Sequence, residues 1–176
     1  LGQGIKFEEG EFADVLAKAK KEGKPVFMDC YTSWCGPCKV LSSKVFPLKS
    51  VGDFFNARFV STKIDMEKGE GKELARKYGV KAFPTLLVLD AEGNVIHRLT
   101  GGRSPQSLIA EVSRALSDST AYTAVKKKYE AGDRSPLVVT EYFKNMLTAS
   151  EITPEALQKE AETYFSSLFM RSFVNS

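Results

Sequence analysis

Apolar residues near the start of the chain are spaced first as in a helix and then as in a strand. Four of them lie at i, i+3, i+4 and i+7, which predicts an amphipathic helix ending near KEGKP. These four are Phe12, Val15, Leu16 and Ala19. The run PVFMDCY at 25–31 then predicts a short strand that is apolar enough to be covered on both faces.

Helix and strand patterns continue to residue 118. CKVLSSKVF predicts a helix directly after the first strand, SVGDFFNA a short helix, and residues 58–65 a second strand. GEGKELARKYG predicts a helix capped by Gly79, and TLLVLD and VIHRLT, separated by AEGN, predict a hairpin. A further helix begins at Ser104-Pro105. A βαβ start followed by a hairpin implies an α/β domain over 1–118, with a mixed sheet and helices on both faces.

Residues 119–176 show helical periods and no strand pattern. Ser135-Pro136 and Thr153-Pro154 mark two helix N-termini. The apolar positions of the three predicted helices are Tyr122, Val125, Tyr129, Val139, Tyr142, Phe143, Met146, Leu157, Ala161, Tyr164, Phe165 and Leu168. We therefore predict a small all-helical C-terminal extension that packs on the first domain or on a partner. Because apolar stripes of helices usually face inward, we interpret its aromatic residues as core against the first domain.

Composition and charge exclude several classes of protein. Hydrophobic residues make up 43% of the chain and charged ones 27%, as in a globular protein. The net charge of +3 is small and the two signs alternate, so nucleic acid is not an expected partner. No apolar run approaches the roughly 20 residues that cross a bilayer. The chain starts LGQGIKF, without an initiator Met or a signal-peptide pattern, so we expect a processed or trimmed product.

The sequence WCGPC places Cys35 and Cys38 three positions apart, where the first strand gives way to a helix. Such a pair can hold a metal, staple a loop or exchange a disulfide. A structural zinc site needs four Cys or His ligands. The chain offers four in number, but nothing in the pattern brings His97 on the late hairpin to the pair. We therefore expect no metal and interpret His97 as an ordinary strand residue.

A purely structural disulfide is the second alternative, but it would close a very short loop, and short loops stabilise least. Exchange fits the position best, because the N–H groups and dipole of a helix start favour thiolate over thiol at Cys35. Cys38, one turn further in, is positioned to attack the mixed disulfide formed by Cys35. Pro37 suits a first helical turn, and Trp34 offers a flat apolar contact surface. Cys30 in the strand is interpreted as a buried small hydrophobe.

These residues occur in an arrangement that closely resembles thioredoxin. WCGPCK follows a strand that carries Asp29, and FPT at 83–85 and GG at 101–102 come later; the similarity covers roughly residues 5–118. The long first helix and the segment VFPLKSVGDFF resemble the thioredoxin-like domains of exported thiol–disulfide exchange proteins more than the small cytosolic carrier. The resemblance implies the thioredoxin-like fold, to which the helical extension is added.

The resemblance also implies a role for each matching residue. Cys35 corresponds to the attacking, partly exposed thiolate and Cys38 to the buried resolving thiol. Asp29 corresponds to the buried carboxylate that accepts and returns a proton near Cys38; the alternative is a surface Asp at a strand end. Pro84 matches the family's cis-proline, which lets the backbone of the preceding residue pair with an extended substrate. The expected substrate-binding residues are Trp34, Gly36, Pro37, Phe83, Pro84, Thr85 and Gly102, with Gly101 as the alternative to Gly102.

Three positions depart from the family pattern. Tyr31 stands where cytosolic carriers usually have a second Trp. Ser43 replaces a kinking Pro found in many members, which predicts a straighter helix after the cysteines. Ser61 lies at the position of the Lys that usually partners the buried Asp, with Lys63 two residues on, so the details of proton transfer stay open.

We therefore predict an enzyme that exchanges disulfides with protein substrates and needs no cofactor beyond the redox-active Cys35–Cys38 disulfide. Gly36-Pro37 is the dipeptide of the family's reducing carrier and favours the reducing direction. The expected partners are proteins with disulfides or thiols and an upstream reductant, which for an exported protein would lie in the membrane. The expected location is the periplasm or another exported compartment, with the cytoplasm as the alternative.

Two further hypotheses concern the extension. In one, the chain is a thioredoxin-fold binding module that docks an extended peptide while the extension holds the partner. In the other, the chain is a disulfide isomerase whose extension joins a second subunit and aligns two active sites.

Overall fold

The computed structural model describes residues 3–117, 122–148 and 152–174. The strands are β1 Val26–Tyr31, β2 Val60–Asp65, β3 Thr85–Leu89 and β4 Val95–Thr100. The helices are α1 Phe12–Glu22, α2 Gly36–Val40 continuing as a π-helical segment over Leu41–Val45, α3 Lys49–Arg58, α4 Gly71–Tyr78, α5 Pro105–Ala115, α6 Tyr122–Glu130, α7 Pro136–Thr148 and α8 Pro154–Val174. The predicted boundary between 118 and 119 lies outside the described residues.

The four strands form one sheet in the order β2-β1-β3-β4. β1 pairs with β2 in parallel, so Asp29 lies opposite Lys63. β1 pairs with β3 in antiparallel orientation, so Cys30 lies opposite Thr85, and β3 and β4 form the predicted hairpin. The mixed sheet is thus confirmed. Because β1 ends where β3 begins, the segments after Tyr31 and before Thr85 meet at one end of the sheet.

Each face of the sheet carries its own apolar core, since successive side chains of a strand point to opposite faces. Met28 and Cys30 are fully buried on the face that α1 and α4 cover. Phe27 is buried on the other face, which the π-helical segment, α3 and α5 cover. Cys30 is therefore a buried small hydrophobe, as predicted, and burial raises the pKa of its thiol.

Two predicted helix ends are formed by the expected residues. Gly79 closes α4 at φ +62°, a left-handed conformation that glycine adopts without a steric cost. Ser104 caps α5, because its Oγ accepts the backbone N–H of Ser107 at 3.1 Å.

The helix after the cysteines changes from α-helical to π-helical geometry. In its π-helical segment the N–H of Phe46 donates to the carbonyl of Leu41 at 2.8 Å, five residues back. Ser43 Oγ donates to the carbonyl of Lys39 at 2.7 Å. A serine that bonds the carbonyl four residues back tends to bend a helix, and π-helical turns produce kinks. Both features favour a bend, whereas the absence of a proline at Ser43 favours a straighter helix, so the predicted straightness stays a prediction.

The extension begins by covering the edge of the sheet. α6 and α7 contact β4, the edge strand, and each other. Tyr122, Val125 and Phe143 are buried there. Arg114 of α5 and Glu141 of α7 form an ion pair at 3.0 Å. Covering an edge strand removes a row of backbone groups that would otherwise pair with another chain. The predicted packing of the extension on the first domain is thus confirmed for α6 and α7.

α8 is covered much less than α6 and α7. Among its described side chains, the half-buried ones are Leu157, Ala161, Tyr164 and Ser167, which lie along one side of the helix. Tyr164 Oη donates to the carbonyl of Arg134 at 3.0 Å. Phe165 lies off this side and is 65% exposed. The interpretation of the extension's aromatic residues as core is therefore wrong for Phe165.

His97 is a buried residue of β4. It lies opposite Val88 and is 1% exposed. Burial, followed by the positive charges of Arg114 and Arg103, lowers the pKa of His97 to about 4. The imidazole is therefore neutral near neutral pH, and it lies on a strand as the sequence predicts.

Candidate active site

The loop after β1 brings Cys35 to the N-terminus of α2. Cys35 is the N-cap residue, with an extended backbone at φ −73° and ψ 113°. A disulfide joins it to Cys38, and the two Cα atoms lie 5.3 Å apart. The backbone N–H of Cys38 donates to Cys35 Sγ at 3.2 Å. This donor would stabilise negative charge on Cys35 when the disulfide is reduced, because hydrogen bonds and helix N-termini favour thiolate.

Both cysteines are buried in the disulfide form. Cys35 is 3% exposed and Cys38 is 2% exposed. The predicted partial exposure concerns the thiolate of the reduced pair and stays a prediction; in the disulfide form Cys35 is buried. The physical reason is that Cys35 Sγ is bonded to Cys38 and also accepts the Cys38 N–H, so it is turned towards the helix rather than towards solvent.

The surface beside the disulfide is apolar and exposed. Trp34 is 64% exposed and Val40 is 53% exposed, and Pro37 lies between them in sequence and is also exposed. The Trp34 ring meets the Phe83 ring edge to face, with centroids 6.0 Å apart at 88°. Trp34 Nε1 donates to both carboxylate oxygens of Glu67 at 3.1 Å. A partner that reaches the cysteines would therefore contact a tryptophan whose ring is held on two sides.

Pro84 lies at the start of β3 beside this surface. The Phe83-Pro84 peptide bond is cis. The carbonyl of Pro84 accepts the N–H of Gly101 at 2.9 Å, which ties the loop after β4 to the start of β3. Thr85 is buried, and its Oγ1 donates to the carbonyl of Ala82 at 2.7 Å. The loop after β1, the segment before β3 and the loop after β4 thus meet at the end of the sheet that carries the disulfide.

Two glycines predicted to bind substrate differ in their surroundings. No heavy atom lies within 4 Å of the position of a Cβ on Gly36, so the chain surface is open there. A Cβ on Gly102 would lie 3.8 Å from the Cβ of Pro37. Gly102 therefore faces the helix that carries the cysteines, and Gly101 bonds Pro84 instead.

Asp29 is fully buried in the middle of β1. By strand alternation it shares the face of Phe27, which the helix after the cysteines covers. Neither of its carboxylate oxygens has a hydrogen-bond partner among the described residues. Burial raises the pKa of Asp29 to about 7, and the positive charge of Lys63 opposes this rise. The alternative of a surface Asp at a strand end is thus excluded by the structure.

Lys63 provides the positive charge opposite Asp29. It is the register partner of Asp29 on β2, and its Nζ donates to Ser42 Oγ at 2.7 Å and lies 5.0 Å from the centre of the Tyr31 ring. Ser61 is buried on the same strand, and its Oγ lacks a hydrogen-bond partner among the described residues. The charge that the family pattern places at Ser61 is therefore supplied two residues later.

Sequence patterns do not identify Glu67 as part of this site. An acidic residue in the loop after the second strand is the only local signal, and many exposed loops carry one. The contact with Trp34 joins residues 33 positions apart. It depends on the parallel pairing of β1 and β2, which places the loops after both strands side by side.

The comparisons with known proteins agree with this geometry. A model of the thioredoxin-like domain matches residues 12–116, which is more than half of the chain. The chain belongs to the thioredoxin-like family. The thioredoxin-like protein slr0233 of Synechocystis is 32% identical over 108 residues, which cover 61% of this chain and 94% of that protein.

Solved structures of the family extend the comparison. The solution structure of a candidate disulphide isomerase from Bacteroides thetaiotaomicron is 47% identical, has a TM-score of 0.60, and is matched over 97% of its length and 66% of this chain. A thioredoxin from Thermus thermophilus has a TM-score of 0.61 at 21% identity, with 99% of it and 75% of this chain covered, and so shows the shared fold.

Membership of the thioredoxin-like family, together with the Cys35–Cys38 pair, makes this protein a thiol–disulfide oxidoreductase. The predicted fold, with additional helices beyond the thioredoxin-like domain, is confirmed. No helix within the described ranges is long and apolar enough to cross a membrane.

Proposed function

We propose that this thioredoxin-like protein reduces disulfides in other proteins, with Cys35 as the attacking thiolate and Cys38 as the resolving thiol. One observation supports these roles most directly. Cys35 Sγ accepts the backbone N–H of Cys38 at the start of α2 and is also within bonding distance of Cys38 Sγ. One sulfur is thus stabilised as a thiolate while the other is placed to displace a client from it.

The proposed reaction starts from the reduced pair. The Cys35 thiolate attacks one sulfur of the client disulfide, and the other client sulfur leaves as a thiolate and takes up a proton. Cys38 then gives its proton to Asp29 and attacks Cys35 Sγ, which releases the second client sulfur. Two electrons pass to the client, and Cys35–Cys38 becomes the disulfide. An external dithiol must then reduce it again.

Asp29 is suited to take part because its pKa is raised to about 7 by burial. A carboxyl group with this pKa is close to half-protonated at neutral pH, so it can both accept and return a proton. The positive charge of Lys63, the register partner of Asp29, lowers the pKa of Asp29 and so favours its ionised form. No cofactor takes part other than the disulfide itself.

The test of this function is reduction of insulin with a small dithiol as electron source. The wild-type protein is expected to accelerate it, and Cys35→Ser to abolish the acceleration. Cys38→Ser is expected to accumulate a mixed disulfide with the client. Cys30→Ser serves as the matched control, because Cys30 is buried on the face that α1 and α4 cover, opposite to the face covered by the helix that follows the cysteine pair. Acceleration that survives in Cys35→Ser would refute the assignment.

The reducing direction has its own measurement. Equilibration with glutathione gives the reduction potential of the Cys35–Cys38 couple. A value near that of thioredoxin, about −270 mV, supports a reductant, and a value near about −120 mV overturns the direction.

Disulfide isomerisation is the second candidate, favoured by the 47% identity to a candidate disulphide isomerase. Recovery of activity from scrambled ribonuclease would distinguish it from simple reduction. In this case the extension would join two subunits, and light scattering that shows a monomer would exclude that arrangement. A binding module is tested by removing residues 119–176: if reduction survives and a bound partner is lost, the extension holds the partner.

The proposal also includes the electron source and the location. We place the protein in the periplasm or another exported compartment, with a membrane-bound dithiol reductant, on the strength of the resemblance of α1 and the segment after α2 to exported exchange domains. Cell fractionation tests the location, and finding the protein in the cytoplasm would favour a soluble reductant. Trapping with Cys38→Ser identifies the clients.

A further inference from the structure

Trp34 is the only tryptophan of the chain and the largest exposed apolar group beside the disulfide. An indole that is 64% exposed would normally sample several rotamers in solution. Two contacts restrict this one: the T-shaped contact with the Phe83 ring and the hydrogen bond to the Glu67 carboxylate. Both carboxylate oxygens of Glu67 accept the indole N–H and lie 3.1 Å from Trp34 Nε1.

Glu67 is itself held in place by the loop after β2. The N–H of Glu67 donates to Asp65 Oδ1 at 3.0 Å, and the N–H of Met66 donates to the carbonyl of Tyr31 at 2.8 Å. Met66 is 3% exposed and belongs to the core. The loop is therefore tied to the end of β1, the strand from which the segment carrying Trp34 emerges. Glu67 thus has a fixed position relative to Trp34.

We propose that Glu67 is a positioning residue for protein clients, which holds the Trp34 ring against Phe83 so that its face is presented beside the disulfide. The inference rests on the proposed function and adds a residue that determines how clients bind. A rigid aromatic contact lowers the entropy lost on docking, so losing the anchor should weaken client binding about three- to ten-fold. A small aliphatic disulfide has no aromatic or extended surface to pack on the indole, so its reduction should not depend on Glu67.

Three variants separate the anchor from other effects. Glu67→Ala removes the acceptor. Glu67→Gln keeps one side-chain oxygen that accepts the indole N–H but removes the charge, so it should rescue most of the loss. Glu92→Ala is the matched control, because Glu92 is an exposed glutamate in the hairpin turn at the other end of the sheet.

Two kinds of readout are taken on each folded variant. The first is KM and kcat for insulin reduction, with the rate of reduction of a small aliphatic disulfide measured alongside. The second is the fluorescence of Trp34, which reports on this single indole without interference from another. Removing the carboxylate should lower its anisotropy and change its emission maximum, and circular dichroism confirms that each variant folds.

The inference is supported if Glu67→Ala raises KM for insulin about three- to ten-fold, with kcat and small-disulfide reduction as in the wild type, and if Glu67→Gln recovers it. It is overturned if KM for insulin is unchanged, if both substrates lose activity equally, or if the fluorescence of Trp34 does not respond. If the wild-type protein reduces neither disulfide, the proposed function itself fails, which is a distinguishable result.

Discussion

Replacing the buried carboxyl group of Asp29 by an amide tests the electrostatics of the site. Asp29→Asn keeps the size of the side chain and removes its ionisation. Burial raises the pKa of Asp29 from 3.8 to about 7 in the folded protein. The folded state therefore holds the proton more tightly than the unfolded chain, so the stability conferred by Asp29 is lost as pH rises from about 4 towards 7. The variant should escape this loss.

The expected size follows from the two pKa values. Each pKa unit corresponds to about 1.4 kcal/mol, and by linkage the cost of ionising Asp29 is about 2 to 3 kcal/mol greater at pH 8 than at pH 5. The stability of the variant relative to the wild type should therefore rise by this amount between the two pH values. The relative stability is the informative quantity, because His97 titrates with the opposite sign over part of the range and is common to both proteins.

Urea unfolding followed by circular dichroism at several pH values, with the disulfide intact, gives the required free energies of unfolding. Asp53→Asn is the matched control, because it makes the same substitution at a side chain that is 63% exposed. If the difference between Asp29→Asn and the wild type is the same at pH 5 and pH 8, the reasoning that Asp29 is buried with a raised pKa is refuted.

Two further predictions concern other parts of the fold. Burial lowers the pKa of His97 to about 4, so the stability that it confers is present above pH 6.5 and is lost as pH falls towards 4. In urea titrations, His97→Gln should remove on the order of 3 kcal/mol of this pH dependence of the free energy of unfolding. An unchanged pH dependence would contradict the burial of His97. Phe27 is 0% exposed, and the centre of its ring lies 4.4 Å from the centre of the Phe55 ring. Phe27→Ala should therefore lower the free energy of unfolding by about 3 to 5 kcal/mol. The control Leu137→Ala, at a position that is 63% exposed, should change it by about 0.5 kcal/mol or less.

Much of the fold was predictable because it depends on neighbours in sequence. The period of Phe12, Val15 and Ala19 is enough to define α1, and each of the three is buried as its spacing requires. Gly79 and Ser104 define helix ends through their own backbone and side-chain chemistry. These features are local, so they can be read before any tertiary contact is known.

Two features of the helices depend on contacts that spacing along the chain does not reveal. Ser43 lacks the ring of a proline, but its hydroxyl bonds the Lys39 carbonyl in a stretch that has changed to π-helical geometry. The sequence predicts Phe165 as core because it is aromatic and part of a helical pattern. Its burial depends on which stripe of α8 meets the rest of the protein, and that stripe contains Tyr164 instead.

By itself, the sequence determined the type of chemistry. The pair Cys35 and Cys38 at a strand-to-helix junction, followed at a distance by Pro84, was sufficient to predict disulfide exchange. The tertiary structure alone decided the environment of that pair: Lys63 in register with Asp29, and Glu67 against the Trp34 indole 33 residues away. The physical reason is that spacing along the chain determines which residues lie at the start of a helix, and so which side chains its backbone N–H groups and dipole act on. The pairing of Lys63 with Asp29 and of Glu67 with Trp34 depends instead on the register in which the parallel strands β1 and β2 meet.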